Sequence, residues 1–507
     1  MSPRVVRGIT ELYTPHTRVT DAALVIDGGS VVWVGPARDL PTEHAHIPSD
    51  DLGGRGVLPG LVDSHTHLVW AGSRVGEYVA RSHGDEYEAI LARGGGIMST
   101  VRATRSTDEG QLAALARSRA RSFLRGGVTS LEVKLVYGLY TENELKMLRV
   151  ARELTVSGPQ RVTTTLLAHV PDPAIDRTVS LDRFVTETVP EAARLGLADA
   201  LDVFCDRGAF SVSDARRVLE TGAGLGLKLK VHAEQLSRTG AARLLAELGG
   251  LSADHLEMAT TEDFEALAAA GSVATLLPGA AVMLKKRVPD AATIRQTGVT
   301  VALASDHNPG SSPLFGLLPA LQLATALAGF TVEETLVAGT ASAADALGRP
   351  TWGRLEAGSV ADYLVVDGPA ALLPLYGWGD PRLRQQARDQ QLTPSARVEL
   401  RRELHHVEAD DLVVRQSLAQ EAGDLPVPET AGFGAGGARH LGRVECIDVE
   451  ADVEPPTRWQ ARPHRRQRLV DGLRRDEGVS PGPRRFDGLL VEPHPPQPDD
   501  GQAREPG

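Results

Sequence analysis

Pro59-Gly60-Leu61-Val62-Asp63-Ser64-His65-Thr66-His67 is the stretch on which the fold turns, a short apolar run opened by a Pro-Gly break and closed by two histidines two residues apart. In an extended strand such residues point the same way, so both imidazoles reach one metal ion from the end of one strand. A lone His-x-His is also a common polar strand end. What gives this one weight is the pattern that follows.

Downstream, short apolar runs alternate with segments of helical period, the alternation that builds a parallel sheet. Eight strands are expected: Gly60 to Asp63, Val128 to Val133, Val162 to Ala168, Leu201 to Cys205, Leu227 to Val231, Leu251 to Asp254, Val273 to Leu277 and Val299 to Ala304. Helices between them open on a Ser or Thr with an acid three residues on, at Thr141 with Glu144, Ser211 with Asp214 and Thr331 with Glu334. Eight such units over residues 59–351 fit an α/β fold of the (β/α)8 barrel type, with its active site at the C-terminal strand ends. An open doubly wound sheet is the competing architecture.

Upstream, residues 1–58 read as part of a small β-domain, with Ala22 to Ile26, an Asp27-Gly28-Gly29 turn and Ser30 to Val34 forming a hairpin. Residues 352–377 hold one more strand, Ala361 to Val366, expected to pair with that hairpin and complete the domain. Residues 378–507 contain no lysine, tyrosine or methionine and are dense in Arg, Gln, Pro and acids. They read as a disordered tail, with some helical character only from Val398 to Leu418.

The 507 residues are 42% hydrophobic, 24% charged and 4% aromatic, with a formal charge of -12. The negative charge argues against nucleic acid or an anionic membrane as partner. Two cysteines, Cys205 and Cys446, make no disulfide framework, and no apolar segment has the length of a membrane span or the position of a signal peptide. A soluble, cytoplasmic protein is expected, acting on a small molecule; a homodimer is open.

Histidines recur where later strands should end: His169 after the third, His232 after the fifth, His255 after the sixth, with Asp306 after the eighth. Each alone is more simply a satisfied polar group, but a barrel brings all these ends to one mouth. Imidazoles beside a carboxylate suit Zn²⁺ or another first-row divalent ion.

These positions resemble the amidohydrolase superfamily, and the local strings resemble its imidazolonepropionase family. Besides the opening stretch they are Gly94-Gly95-Gly96-Ile97, Thr100 to Arg105, Glu144 to Leu148, Asp202 to Cys205, His232-Ala233-Glu234-Gln235-Leu236 and Asn308-Pro309-Gly310. The resemblance runs from the N-terminal hairpin to about Leu373. It implies hydrolysis of the ring amide of 4-imidazolone-5-propanoate and one divalent ion per chain, zinc or iron, on His65, His67, His232 and Asp306. It further implies substrate contacts at Arg74, Tyr137, His169, Gln235, Asn308, Gly310 and Ser311. An arginine suits a propanoate, which it can grip with two parallel hydrogen bonds. Asp306 is the candidate proton carrier and His255 the candidate oxyanion stabiliser.

One departure stands out. Where the family has Ser-Gly before the tyrosine, this chain has Leu135-Val136, so a displaced Tyr137 and a narrowed pocket are expected. Another cyclic-amide hydrolase, a nucleobase deaminase, and a catalytically impaired relative are the alternatives. Cys205 reads as a buried structural thiol, Gly94 to Gly96 as a pliable mouth loop, and Lys285-Lys286-Arg287 as a solvated basic run.

Overall fold

The computed structural model describes residues 2–85, 90, 93–379 and the strand Leu383–Gln386. The chain opens with β1 (Arg4–Tyr13), β2 (Arg18–Asp27), β3 (Ser30–Pro36) and β4 (Ser49–Pro59). The hairpin turn falls at Gly28 and Gly29, both in the left-handed region that glycine enters without a Cβ penalty. One residue after β4 the barrel begins.

Its strands are β5 (Leu61–Asp63), β6 (Val128–Leu135), β7 (Arg161–Ala168), β8 (Ala200–Cys205), β9 (Lys228–Ala233), β10 (Ser252–His255), β11 (Val273–Leu276) and β12 (Thr300–Leu303). They pair in parallel and in chain order around one eight-stranded sheet, which excludes the doubly wound alternative. Each of the eight lies within two residues of its expected bounds. Between β12 and β5 the ladder gives way to a seam just beyond the strand ends, where Thr66 bridges to His307.

Period-two alternation sorts the strand residues. On β6, Leu131, Val133 and Leu135 are buried in the apolar layer against the helices, while Glu132 and Lys134 point into the barrel. Each leucine so buried contributes about 1.5–3 kcal/mol, and this outer layer is where the fold's apolar burial is concentrated.

Two of the three expected capping boxes form, at Ser211 with Asp214 and at Thr331 with Glu334. The third does not. The helix Thr141–Ser157 starts after Tyr140, and Glu144 instead reaches back to accept from the backbone N–H groups of Gly138 and Leu139 at 2.8 and 2.7 Å. The cause is local: Leu139 lies at φ 58°, which turns two amides of the preceding loop toward the carboxylate.

After the barrel the chain returns as β13 (Tyr363–Val366), which pairs antiparallel with β4 rather than with the hairpin. The hairpin is met by residues just before it, through Gly358 N–H to Val31 O and Ala361 N–H to Gly29 O. A further edge strand, β14 (Leu383–Gln386), pairs with β13, giving a six-stranded sheet in the order β14-β13-β4-β1-β2-β3. β14 extends the sheet past residue 377, into the segment expected to be disordered. The stretch Val398–Leu418 lies outside the described residues.

Gly353 joins the last barrel helix to this small sheet at φ 61°, and a Cβ there would stand 2.6 Å from the Thr340 carbonyl carbon and oxygen. Gly353→Ala should therefore cost more than about 1 kcal/mol of unfolding free energy, read as a lower urea midpoint at unchanged slope. An unchanged midpoint would show that this junction relaxes freely.

Candidate active site

The His-x-His segment is held from both sides. Lys134 N–H on β6 donates to Thr66 O at 2.8 Å; across the seam His67 N–H donates to His307 O at 2.8 Å and Asp306 N–H to His65 O at 3.0 Å. The backbone that carries Asp306 thus docks on the backbone that carries both histidines. Sequence distance is erased by closure of the sheet.

The rings converge. From the His65 centroid, His232 lies at 4.6 Å, His67 at 5.3 Å and His255 at 5.6 Å, and His232 lies 5.1 Å from His255. Asp306 Oδ1 sits 3.4 Å from His65 Nε2 and 3.5 Å from His67 Nε2. Two sets of possible ligand atoms, His65 with His67 and His232, and His65 with His255 and Asp306, each fall within 4.8 Å of one another. All five side chains are buried.

Burial pushes His67 and His232 below the ordinary imidazole range, so both rings are neutral and offer a lone pair. His65 differs. Burial opposes its protonation, but Asp254 and Asp306 outweigh that and draw positive charge to it. Burial would likewise raise Asp306, yet the imidazoles of His65 and His67, then His255, hold its carboxyl well below the usual range. His65 Nε2 is buried with no hydrogen-bond partner, while its Nδ1 lies 2.7 Å from Asp254 Oδ2. A divalent ion at Nε2 would take the place of the proton there, with Asp254 orienting the ring through Nδ1.

Backbone strain gathers here. Among the described residues seven other than glycine have positive φ, and Glu234, His255, Leu256 and Asp306 follow or end barrel strands at the mouth. Glu234 also closes its loop, its carboxylate accepting from Thr239, Gly240, Ala241 and Ala242 N–H. This accounts for one non-ligand position in the His232 to Leu236 string.

The remaining sequence candidates fall around the cluster. Tyr137 is buried with its ring 6.3 Å from His67, and burial raises its phenol. Arg74 donates from Nη2 to Glu77 Oε2 at 2.7 Å and packs on Gly310, where a Cβ would lie 2.3 Å from its Nη1. His169 stands 6.2 Å from His232 and is held down at about 3 by burial. Gln235 is buried one residue beyond Glu234. Asn308 turns inward on its own loop: Oδ1 accepts from Gly310 and Ser311 N–H, and Nδ2 donates to Asp306 O and Ser311 Oγ. It shapes the segment that presents Gly310.

Leu135 and Val136 stand at the step from β6 into the loop that carries Tyr137. Both are buried in the apolar cluster that also holds Tyr137, Val136 has no positive φ, and the Tyr137 ring lies 6.3 Å from that of His67. Beyond the pair the loop is pinned by Glu144 and by Arg105, the latter bonded to Gly138 O at 2.7 Å. Cys205 is buried, as expected, and burial raises its thiol to about 11. Gly96 N–H is tied to Glu77 Oε1 at 2.9 Å, so the glycine loop is linked to Arg74 through one carboxylate.

What the motif search passes over lies beneath the cluster. Asp254 meets His65, Asp202 Oδ2 lies 3.0 Å from His232 Nδ1, and Lys134 Nζ lies 2.5 Å from Asp202, 3.1 Å from Asp254 and 3.2 Å from Glu132. Lys230 Nζ is 2.9 Å from Glu132. Carboxylates on three sides push the Lys134 ammonium further up than burial pushes it down. The available signal was period: charged residues at alternate positions in otherwise apolar strands, Glu132 and Lys134, then Lys230 and His232.

Known proteins resemble the chain in sequence and in fold. The sequence pattern of the amidohydrolase family matches residues 57–398. An imidazolonepropionase of Deinococcus radiodurans is 45% identical over 381 residues, 73% of this chain and 94% of that protein. One from Cupriavidus pinatubonensis is 44% identical over 370 residues, 72% and 88% of the two chains. Among solved structures, a triazine hydrolase variant superposes with TM-score 0.58 at 20% identity, covering 77% of this chain and 94% of that one. A zinc-complexed atrazine chlorohydrolase of Arthrobacter aurescens gives 0.56 at 20%, covering 75% and 92%, and these two likenesses speak to the fold alone. With the barrel, the converging imidazoles and the long sequence match together, the chain belongs to the amidohydrolase family, among its imidazolonepropionases.

Proposed function

We infer that the chain hydrolyses the ring amide of 4-imidazolone-5-propanoate to N-formimidoyl-L-glutamate, a step of histidine degradation. The observation that carries this is the imidazole and carboxylate cluster at the strand ends, with the Arg74 guanidinium packed on Gly310, four residues beyond Asp306. The imidazolonepropionase relatives at 44–46% identity support the substrate. A nucleobase deaminase is disfavoured, since a neutral base offers Arg74 no carboxylate.

His65, His67, His232 and Asp306 are the proposed ligands of one divalent ion, zinc or iron, a donor set of imidazole nitrogens with one carboxylate that suits either. Bound there, the ion supplies a water of lowered pKa and polarises the carbonyl under attack. Asp306 takes the proton of the attacking water and delivers it to the departing ring nitrogen. His255 stabilises the oxyanion of the tetrahedral stage. Arg74 holds the propanoate, with Tyr137, His169, Gln235 and the backbone at Gly310 and Ser311 orienting the ring. Asn308 serves substrate binding through the loop it braces. The substrate is small, and we place the reaction in the cytoplasm, where both cysteines stay reduced.

Chelator-stripped protein should lose hydrolysis of imidazolone propanoate and regain it with Zn²⁺ or Fe²⁺, holding about one ion per chain by elemental analysis. His65→Ala with His67→Ala should abolish both metal content and turnover. Two tightly held ions, or activity untouched by chelation, would overturn the assignment.

Arg74→Ala should raise KM roughly 10- to 100-fold with a much smaller effect on kcat, because a charge-assisted contact remote from the scissile bond serves ground and transition states alike. Arg74→Lys should rescue only in part, for want of the planar fork. An unchanged KM in the alanine variant would remove Arg74 from the substrate site.

A further inference from the structure

Under the cluster, two of the proposed ligands are each backed by a carboxylate, and the carboxylates meet at one cation. His65 rises from β5 and is hydrogen-bonded at its Nδ1 by Asp254 of β10; His232 of β9 has Asp202 of β8 3.0 Å from its Nδ1, an ion-pair contact without hydrogen-bond geometry. Lys134 of β6 places its Nζ 2.5 Å from Asp202 Oδ2 and 3.1 Å from Asp254 Oδ2, and its side chain has no exposed surface. Five of the eight strands are joined through this one ammonium. Lys230, the other buried lysine of the barrel, is held by Glu132 and Ser64 O and stands 3.8 Å from Asp254, too far for a direct hydrogen bond.

We propose that Lys134 is the positioning residue of the metal centre, a single fixed cation that holds Asp202 and Asp254 together and thereby sets the spacing and orientation of His65 and His232. The proposal rests on the assignment of those two histidines as ligands. Its physical basis is repulsion at short range. Without the ammonium, two buried carboxylates share a space with no cation bridging them, and their separation carries the attached rings apart. Loss of a group that orients a ligand typically weakens metal binding by 10- to 100-fold. Glu132 completes the surroundings of Lys134 at 3.2 Å but touches no imidazole, so its part is to seat the lysine.

The test is Zn²⁺ affinity of the chelator-stripped full chain, measured by competition with a chromophoric chelator, beside thermal unfolding of the same samples without metal. The parent is titrated first. If it takes up no ion, or if His65→Ala with His67→Ala binds Zn²⁺ as tightly as the parent, the ligand assignment falls, and that failure is separate from the one sought here. Lys134→Met should bind Zn²⁺ at least tenfold more weakly while remaining folded. Affinity within about twofold of the parent, with only the unfolding temperature lowered, would make Lys134 a structural residue and overturn the proposal.

Where Lys134→Met alone does not fold, comparison of Asp202→Asn with Asp202→Asn plus Lys134→Met decides. With one of the two carboxylates neutral there is no repulsion left for Lys134 to suppress. The two variants should then bind Zn²⁺ within about threefold of each other. A tenfold further loss in the double variant would show that Lys134 does not act through the pair of carboxylates.

Discussion

An ammonium with no surface in water, set among three carboxylates, is the constraint around which this barrel is arranged. Ordinary (β/α)8 barrels fill the interior with branched aliphatic side chains. Here the level beneath the mouth is charged: Glu132, Lys134, Asp202, Lys230 and Asp254 are all buried. A close ion pair of this kind attracts with about 4 kcal/mol at an effective dielectric of 20, and removing each ion from water costs several kcal/mol. The two nearly cancel. Such a layer adds little to stability, which comes from the apolar shell between strands and helices, and what it provides is fixed positions for the imidazoles above it.

That division of labour explains what the sequence made legible. Apolar runs and helical periods are properties of the outer shell, and they located all eight barrel strands closely. The convergence of His65, His67, His232, His255 and Asp306 was legible too, because strand ends in a barrel must converge and all five follow or end an apolar run. Lys134, Asp202 and Asp254 were harder to see. Each pairs with residues tens to hundreds of positions away, and a charged side chain inside a strand looks no different from one facing water until closure decides which face is inward. Thr141 and Glu144 failed for a related reason: the pattern of a capping box is local, but the loop Gly138-Leu139 competes for the same carboxylate and wins.

The mouth is held by polar side chains acting on backbone. Glu144 fixes the loop at Tyr137, Glu234 fixes the loop after His232, Asn308 folds the segment before Gly310, and Glu77 ties Arg74 to Gly96. The first three work where the chain leaves a strand near a non-glycine residue at positive φ, Leu139, Glu234 or Asp306. The first of these anchors follows directly on Leu135 and Val136, which are buried in one apolar cluster with Tyr137.

The seam between the first and last barrel strands has a consequence for how the molecule comes into being. Thr66 and His307 bridge it, and 242 residues separate Asp63 from Ser305, which bond across it. A nascent chain presents its first histidine pair long before the aspartate that belongs beside it is synthesised. Until the ring of strands shuts, those imidazoles have no carboxylate opposite and no mouth above them. Closure of the barrel and birth of the site are thus one event, and a chain arrested short of its eighth strand is left without a complete donor set.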